Sequence, residues 1–255
     1  MVIDMPLDDL GHPVDLAGVP SRIVSLVPSL TEALALTVPD RLIGATDWCS
    51  HPADLAVARV RGTKNPDIEA VLALRPDLVV ANEEENRLVD LDLLRAAGLS
   101  VWVTDIRTVD GALSSISRLF GALGVDDVDW LEEAREAWAE PLRVAPMRLR
   151  AVVPIWRRPW MCVGRDTYAG DVLRRLGVDN ILADHAERYP AMPLEELPAH
   201  DLVVLPDEPY AFSATDGPEA FERPCALVDG RYLTWYGPAM VEAPRALFYQ
   251  LRAAS

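Results

Sequence analysis

Glu83, Glu84, Glu85 and Asn86 stand in a row one residue beyond an apolar run that ends at Ala81. Carboxylates gathered in one loop could supply a general acid and a general base, provided both reach the same reacting group. That work needs burial or mutual repulsion to separate their pKa values; consecutive loop carboxylates otherwise stay solvated, cap helices or pair with arginine. Cys49 and His51 are two positions apart, with Asp47 beside them, and Cys162 is alone. Zinc asks for three or four ligands at close, regular spacing, so no metal site is expected. Each cysteine reads as a buried structural thiol, with Asp47, Cys49 and His51 available to touch the polar rim of a ligand. The Val27–Thr31 turn lacks the glycines of a nucleophile elbow, and no glycine-rich phosphate loop follows a strand. No catalytic residue is assigned.

Binding chemistry is better represented. Trp48, Trp160, Trp235 and Tyr236 fall in loops or at the carboxyl ends of predicted strands, as does Tyr210 behind Asp207-Glu208-Pro209. Flat aromatic side chains carry a large apolar area and are costly to leave wet. Together with Glu85, Asn86 and Glu208 they form the candidate ligand contacts. Trp130, Trp138 and Trp156 lie within predicted helix or strand and read as core or connector packing.

The elements that would position these residues alternate between strand and helix. Residues 22–27, 41–45, 77–81 and 99–104 read as strands, and 30–36, 68–74 and 87–97 as helices. Ser29 and Glu32 fit a capping box, Asp67 fits a helix cap, and Gly98 a helix stop. Residues 1–20 read as a short hairpin turning near Asp9–Gly11. Short loops between alternating strands and helices predict parallel, layered α/β sheets. These put the candidate residues at the carboxyl ends of strands, where open sheets bind ligands. Leu113, Ile116, Phe120 and Leu123 recur at helical spacing. A further helix, rich in aspartate at its start, runs from about 127 to Pro141. Its roughly 14 residues make a rod of about 21 Å. Beyond it, strands are predicted at 148–155, 201–205, 226–228 and 232–235, and helices at 168–176 and from Pro244 to Leu251.

The chain also repeats itself. Residues 68–80 read IEAVLALRPDLVV and residues 194–204 read LEELPAHDLVV; Arg22 and Arg150 open strands at matching positions upstream. A repeat this long is a duplicated lobe, not a solenoid unit. The predicted organisation is an N-terminal α/β lobe at 1–124, a connecting helix at 125–147 and a C-terminal α/β lobe at 148–255. Clefts between domains are where ligands bind. By the repeat, Glu69 and Glu195 occupy matching sites, one per lobe, and such a pair could meet two arginines of a partner.

The 255 residues carry a formal net charge of −16. That field repels phosphate backbones, so no nucleic-acid partner is expected. No apolar stretch is long enough to span a membrane. The N-terminus, MVIDMPLDDLGHPVDL, lacks the basic and apolar regions of a secretory signal, which as written places the chain in the cytoplasm.

The segments RIVSLVPSLTEALA, GTKNPDIEAVLALRPDLVVANEEEN and LTWYGP occur in this order. With them the chain resembles the cobalamin-type, helical-backbone (class III) substrate-binding proteins of ABC importers, over roughly residues 1–250. The resemblance implies a periplasmic-binding-protein-like α/β fold. Two lobes with mostly parallel sheets are joined by a single long helix, and the ligand is held between them. It implies a transported cobalamin, siderophore iron or haem, with no resident cofactor. It implies aromatic contacts at Trp48, Trp160, Tyr189 and Trp235 or Tyr236, and docking of Glu69 and Glu195 on an ABC permease. Proteins of this family are usually extracytoplasmic, and a cleft binder of this shape works as a monomer. Three other readings stay open: a cytoplasmic corrinoid or metal-chelate carrier, a small-substrate enzyme using Glu83–Glu85, and a protein that only docks through Glu69 and Glu195.

Overall fold

The computed structural model describes residues 5–139 and 147–254. In chain order the elements are β1 (Ile23–Ser25), α1 (Pro28–Thr37), β2 (Leu42–Ala45), β3 (Ala58–Arg59), β4 (Arg61–Gly62), β5 (Asn65–Pro66), α2 (Ile68–Leu74), β6 (Leu78–Asn82), α3 (Leu88–Ala96), β7 (Val101–Thr104) and α4 (Val109–Ala122). There follow α5 (Asp129–Ala139), β8 (Leu149–Val152), β9 (Pro154–Trp156), β10 (Met161–Cys162), α6 (Tyr168–Arg175), β11 (Val178–Asn180), β12 (Leu202–Pro206), β13 (Cys225–Val228), α7 (Gly230–Thr234) and α8 (Ala243–Ala254).

The chain divides into two compact units. One comprises Met1–Ile106 and Leu113–Leu131, the other Arg107–Ala112 and Glu132–Ser255. The first turn of α4 therefore belongs to the second unit and the rest of that helix to the first. Of the connecting rod expected at 125–147, α5 supplies Asp129–Ala139. The expected stop at Pro141 lies outside the described residues.

The first unit is built on the sheet β3-β2-β1-β6-β7, parallel at every pairing. Its central strands are buried along their whole length. Strands covered by helices on both faces need continuous apolar runs, and Leu78–Ala81 is such a run. Val24, Val79, Val101 and Val103 pack with Val71 of α2 and with Leu91 and Leu94 of α3. Burying each such side chain contributes about 1.5–3 kcal/mol. Ile116, Phe120 and Leu123 are likewise buried. The N-terminal hairpin is reduced to a single bridge, Leu7 to Pro13; residues 1–4 of that expectation lie outside the described residues.

The second unit carries the parallel sheet β11-β8-β12-β13. Val152, Val203 and Leu205 pack there with Cys162, Leu182 and Phe212. Asn180 fixes the neighbouring loop by donating to the carbonyls of Val163 and Gly164 at 2.9 and 3.1 Å.

The repeat has a structural cause. The Asp77 carboxylate accepts the amides of Ser21 and Arg22, each at 2.9 Å, and the Asp77 amide donates to the Arg22 carbonyl. In the second unit the Asp201 carboxylate accepts the Arg150 amide at 2.9 Å, and the Asp201 amide donates to the Arg150 carbonyl. Each aspartate thus brackets the start of one strand against the start of its parallel neighbour.

Four local expectations are corrected. Helix α1 begins one residue before Ser29: Pro28 takes its first turn and Val27 its cap position. Proline suits that place because its missing N–H has no helical partner there and its φ is preset; Ser29 and Glu32 are buried instead of forming a capping box. The strand expected at 232–235 is helix α7, because the Asp229 carboxylate accepts the amides of Arg231 and Tyr232 and starts a helix. The second copy of the repeat holds only a single 3₁₀ turn, Leu194–Glu196, where the first has the seven-residue α2. Pro198 follows two residues after the turn and cannot continue a helix. Trp156, read as core or connector packing, is 43% exposed.

Candidate functional site

In an all-parallel sheet the switch in strand order opens a crevice at the carboxyl edge. In the first unit the switch lies between β1 and β6. The chain leaves β1 into Val27-Pro28 and leaves β6 into Glu83–Asn86. Asn82 and Asn86 hold this edge together. The Asn82 amide group donates to the carbonyl and hydroxyl of Thr104, each at 3.0 Å, and its carbonyl accepts the Glu84 and Glu85 amides. Asn86 is buried, donating to the carbonyls of Leu26 and Thr63 and accepting the Asn82 amide. Its side chain is therefore a brace that ties the two strand exits to the β4–β5 hairpin. Glu84 and Glu85 are half-buried and Glu83 exposed. Lys64 reaches the Glu84 carbonyl from the hairpin.

Trp48 follows β2 on the same unit and is 69% exposed. A Cβ added to Gly62 would lie 3.1 Å from its indole Nε1 and 2.4 Å from the Asn65 side chain, so the hairpin and the indole approach closely. Cys49 is buried, with Thr31 and Thr46 hydroxyls at 3.0 and 3.1 Å from its sulfur. Burial pushes its thiol pKa up despite both hydroxyls, which leaves it unreactive. Cys162 is pushed up to about 12 by burial alone. Cys225 is only half-buried. Among the described residues no group of three or more His, Cys, Asp or Glu side chains is placed to hold a metal ion.

In the second unit the switch lies between β8 and β12. Behind β8 the chain forms the antiparallel hairpin β9–β10, whose tip is Arg157–Trp160. Behind β12 it forms Asp207–Tyr210. Aromatic residues join the two exits. Trp160 lies parallel to Phe212 at 6.0 Å, with an interplanar angle of 4°, and meets Phe221 edge-on at 5.3 Å. Trp156 meets Tyr210 edge-on at 5.7 Å. The Arg157 guanidinium sits 5.3 Å from the Trp160 ring centre and pairs with Asp216 and Glu219. Tyr210 donates its hydroxyl to Asp216 at 2.7 Å.

Beside this cluster stands an acidic group. Asp207 accepts the Gly230 amide at 2.7 Å. A Cβ on Gly230 would come within 2.4 Å of Glu208 Cγ, so glycine is what lets α7 start against that side chain. Burial pushes the Glu208 carboxyl above the ordinary range, and Asp207 and Asp229 push the same way, against the hydrogen bond from Trp235 and the charge of Arg231. Trp235 is half-buried, with the Arg231 guanidinium 5.8 Å from its ring. Tyr236 is buried edge-on against Tyr168, so of this pair Trp235 has the accessible face. Tyr189 is half-buried, with the Arg188 guanidinium 6.0 Å over its ring. Glu69, in the first turn of α2, and Glu195, in the 3₁₀ turn, are both exposed.

The structure therefore brings Trp160, Glu208, Tyr210 and Trp235 to one edge of the second unit, and Trp48, Glu85 and Asn86 to loops at the carboxyl ends of strands in the first. Sequence reasoning missed Arg157, Phe212, Phe221 and the exposure of Trp156. The signal was present: two adjacent arginines between two tryptophans in a strongly acidic chain.

No protein-family model matches the chain. The vitamin B12-binding protein of Vibrio parahaemolyticus is 24% identical over 200 residues, which cover 75% of this chain and 72% of that protein. The solved structure of the periplasmic vitamin B12 binding protein of Vibrio cholerae matches with a TM-score of 0.72 at 20% identity, over 92% of this chain and 98% of that one. A periplasmic heme-binding protein from Pseudomonas aeruginosa matches with a TM-score of 0.74 at 25% identity, over 92% and 94%. The resemblance to the cobalamin-type, helical-backbone substrate-binding proteins is thereby borne out, in sequence by curated relatives and in fold by solved structures.

Proposed function

We propose that this protein is a substrate-binding protein that captures cobalamin or a related corrinoid for ABC-type import. The observation that carries this reading is the match to curated vitamin B12-binding proteins over most of the chain. The site chemistry agrees with it. A corrin has broad apolar faces and an amide-studded rim, which suit flat aromatics with scattered polar groups. On the second unit Tyr210 and Trp235 supply aromatics, with Glu208 accepting a hydrogen bond from Trp235 and Tyr189 half-buried in a neighbouring loop; on the first unit Trp48 and Glu85 stand in loops at the carboxyl ends of strands. The relatives and structural neighbours it matches are binding proteins, and in this reading the protein binds its guest without transforming it.

In this reading it works as a monomer, without a resident cofactor. It works outside the cytoplasm, as the periplasmic vitamin B12 binding protein of Vibrio cholerae does. Glu69 and Glu195 dock on the permease. A second reading, haem or another metal chelate, is favoured by the equally good match to a heme-binding protein. Titration with cyanocobalamin and, separately, haemin while following tryptophan fluorescence tests both. Saturable quenching by cyanocobalamin supports the first reading. Quenching by haemin alone moves the assignment to the second, and no response to either up to high micromolar removes both.

A further inference from the structure

We propose that Trp156 and Arg158, and not Trp160, form the ligand-contacting face of the second unit, and that this face takes a flat ligand with an anionic group on its edge. The inference deepens the function proposed above and rests on it.

Trp160 is hemmed in. Phe212 lies parallel to it, Phe221 meets it edge-on, and the Arg157 guanidinium stands 5.3 Å from its ring centre. These neighbours give Trp160 the work of a packing residue, seating the loop that carries Phe212 and Phe221 on the β9–β10 hairpin. Trp156 is placed differently. It is 43% exposed and its one aromatic neighbour among the described residues is Tyr210, at an interplanar angle of 82°. Such an edge contact covers at most one face of the indole. An open indole face at the carboxyl edge of a parallel sheet, one residue from a hairpin tip, is a platform on which a planar guest can lie.

The two arginines at the tip differ in the same way. Arg157 is neutralised by Asp216 and Glu219. Arg158 is exposed and adopts a left-handed backbone with φ of 71°; its charge is felt by Asp216 and Tyr210, but no close ion pair holds it among the described residues, so its guanidinium is less committed than that of Arg157. A guanidinium matches the geometry of carboxylate and phosphate. Its position two residues from Trp156 puts a cation at the margin of the platform, where a planar ligand's edge substituents fall. The ligand class is therefore a planar chelate with a peripheral anion, either the carboxylates of a haem or the phosphodiester of a complete cobalamin.

Three probes separate these sources: haemin, cyanocobalamin, and dicyanocobinamide, a corrin without the phosphodiester-linked nucleotide. Each is titrated into wild type, W156A, W160F and R158Q. W156A should weaken whichever probe wild type binds by about tenfold or more, while W160F stays within about threefold. R158Q should weaken the anionic probe by about three- to tenfold and flatten its salt dependence, with dicyanocobinamide unaffected. W156A within twofold of wild type overturns the platform, and R158Q with unchanged affinity and salt dependence overturns the anionic edge. A wild type that binds none of the three removes the proposed function itself, which is a different result from a binding wild type with an indifferent W156A.

Discussion

Asp171 decides how firmly the second unit holds the first turn of α4. Its side chain is 7% exposed, accepts the Val109 amide at 2.9 Å, and pairs with Arg174 and with Arg175 Nε, the latter at 2.9 Å. The Val109 amide is one of those a helix start leaves without an internal partner, and Val109 is fully buried. Asp171→Ala strands that donor, which costs about 1–3 kcal/mol. It also removes the carboxylate from two arginines. Arg174 is 64% exposed and Arg175, 23% exposed, keeps Asp110, so this part is screened and adds only about 0.5–1 kcal/mol. The expected loss is about 2–3 kcal/mol for D171A. For D171N, which keeps an acceptor but loses the charge, it is about 1 kcal/mol. Urea unfolding followed by far-UV circular dichroism reads both. The pH dependence adds a second check. Burial alone would raise the Asp171 pKa, but the Val109 amide and the two arginines outweigh it and hold it below the ordinary 3.8. The folded state then binds fewer protons than the unfolded one near that pH. The stabilisation is present above pH 3.8 and fades as pH falls through the folded pKa. The advantage of wild type over D171N should therefore shrink in strong acid. Equal stability of D171A and wild type at pH 7, or a gap that widens on acidification, refutes the reasoning.

Two further outcomes follow from the same structure. Asp77→Ala should destabilise more than Asp201→Ala, because Asp77 accepts two amides and the Ser21 hydroxyl whereas Asp201 accepts one amide; each contact contributes about 0.5–1.5 kcal/mol, and the reverse order in urea midpoints contradicts the bracket. Glu208→Gln should remove a loss of stability that wild type suffers as pH rises from about 4.5, since a raised carboxyl pKa makes the folded state the better proton binder above the ordinary value; thermal melts at pH 4 and 7 giving the same wild-type-to-variant difference would contradict it.

Much of the fold was legible because local chemistry and long-range packing agree. The apolar runs of β6 and β12 can only be buried parallel strands. Asp67 caps α2 by accepting the Ala70 amide, and Gly98 and Gly177 follow helix ends with φ of 86° and 80°, where glycine carries no steric penalty. Legibility failed where two signals competed. Ser29 and Glu32 fit a capping box, but Pro28 suits a helix start better still. Asp229-Gly230 reads equally as a turn and as a cap. The second repeat copy matches the first in its strand and its aspartate, yet Pro198 denies it a helix. The candidate site was legible as a set of loop aromatics at strand ends. Their individual roles were not, because whether an indole packs inward or stands exposed depends on side chains remote in sequence. Phe212 and Phe221 crowd Trp160, and no spacing rule links them to it.

The central claim is that this chain captures a large flat chelate and returns it unchanged. Equilibrium dialysis of the intact protein against cyanocobalamin, followed by denaturation and mass analysis of the released compound, tests it most directly. The account predicts about one equivalent retained per chain and recovered with its mass and absorbance intact. No retention at micromolar concentrations, or recovery of an altered compound, would contradict it.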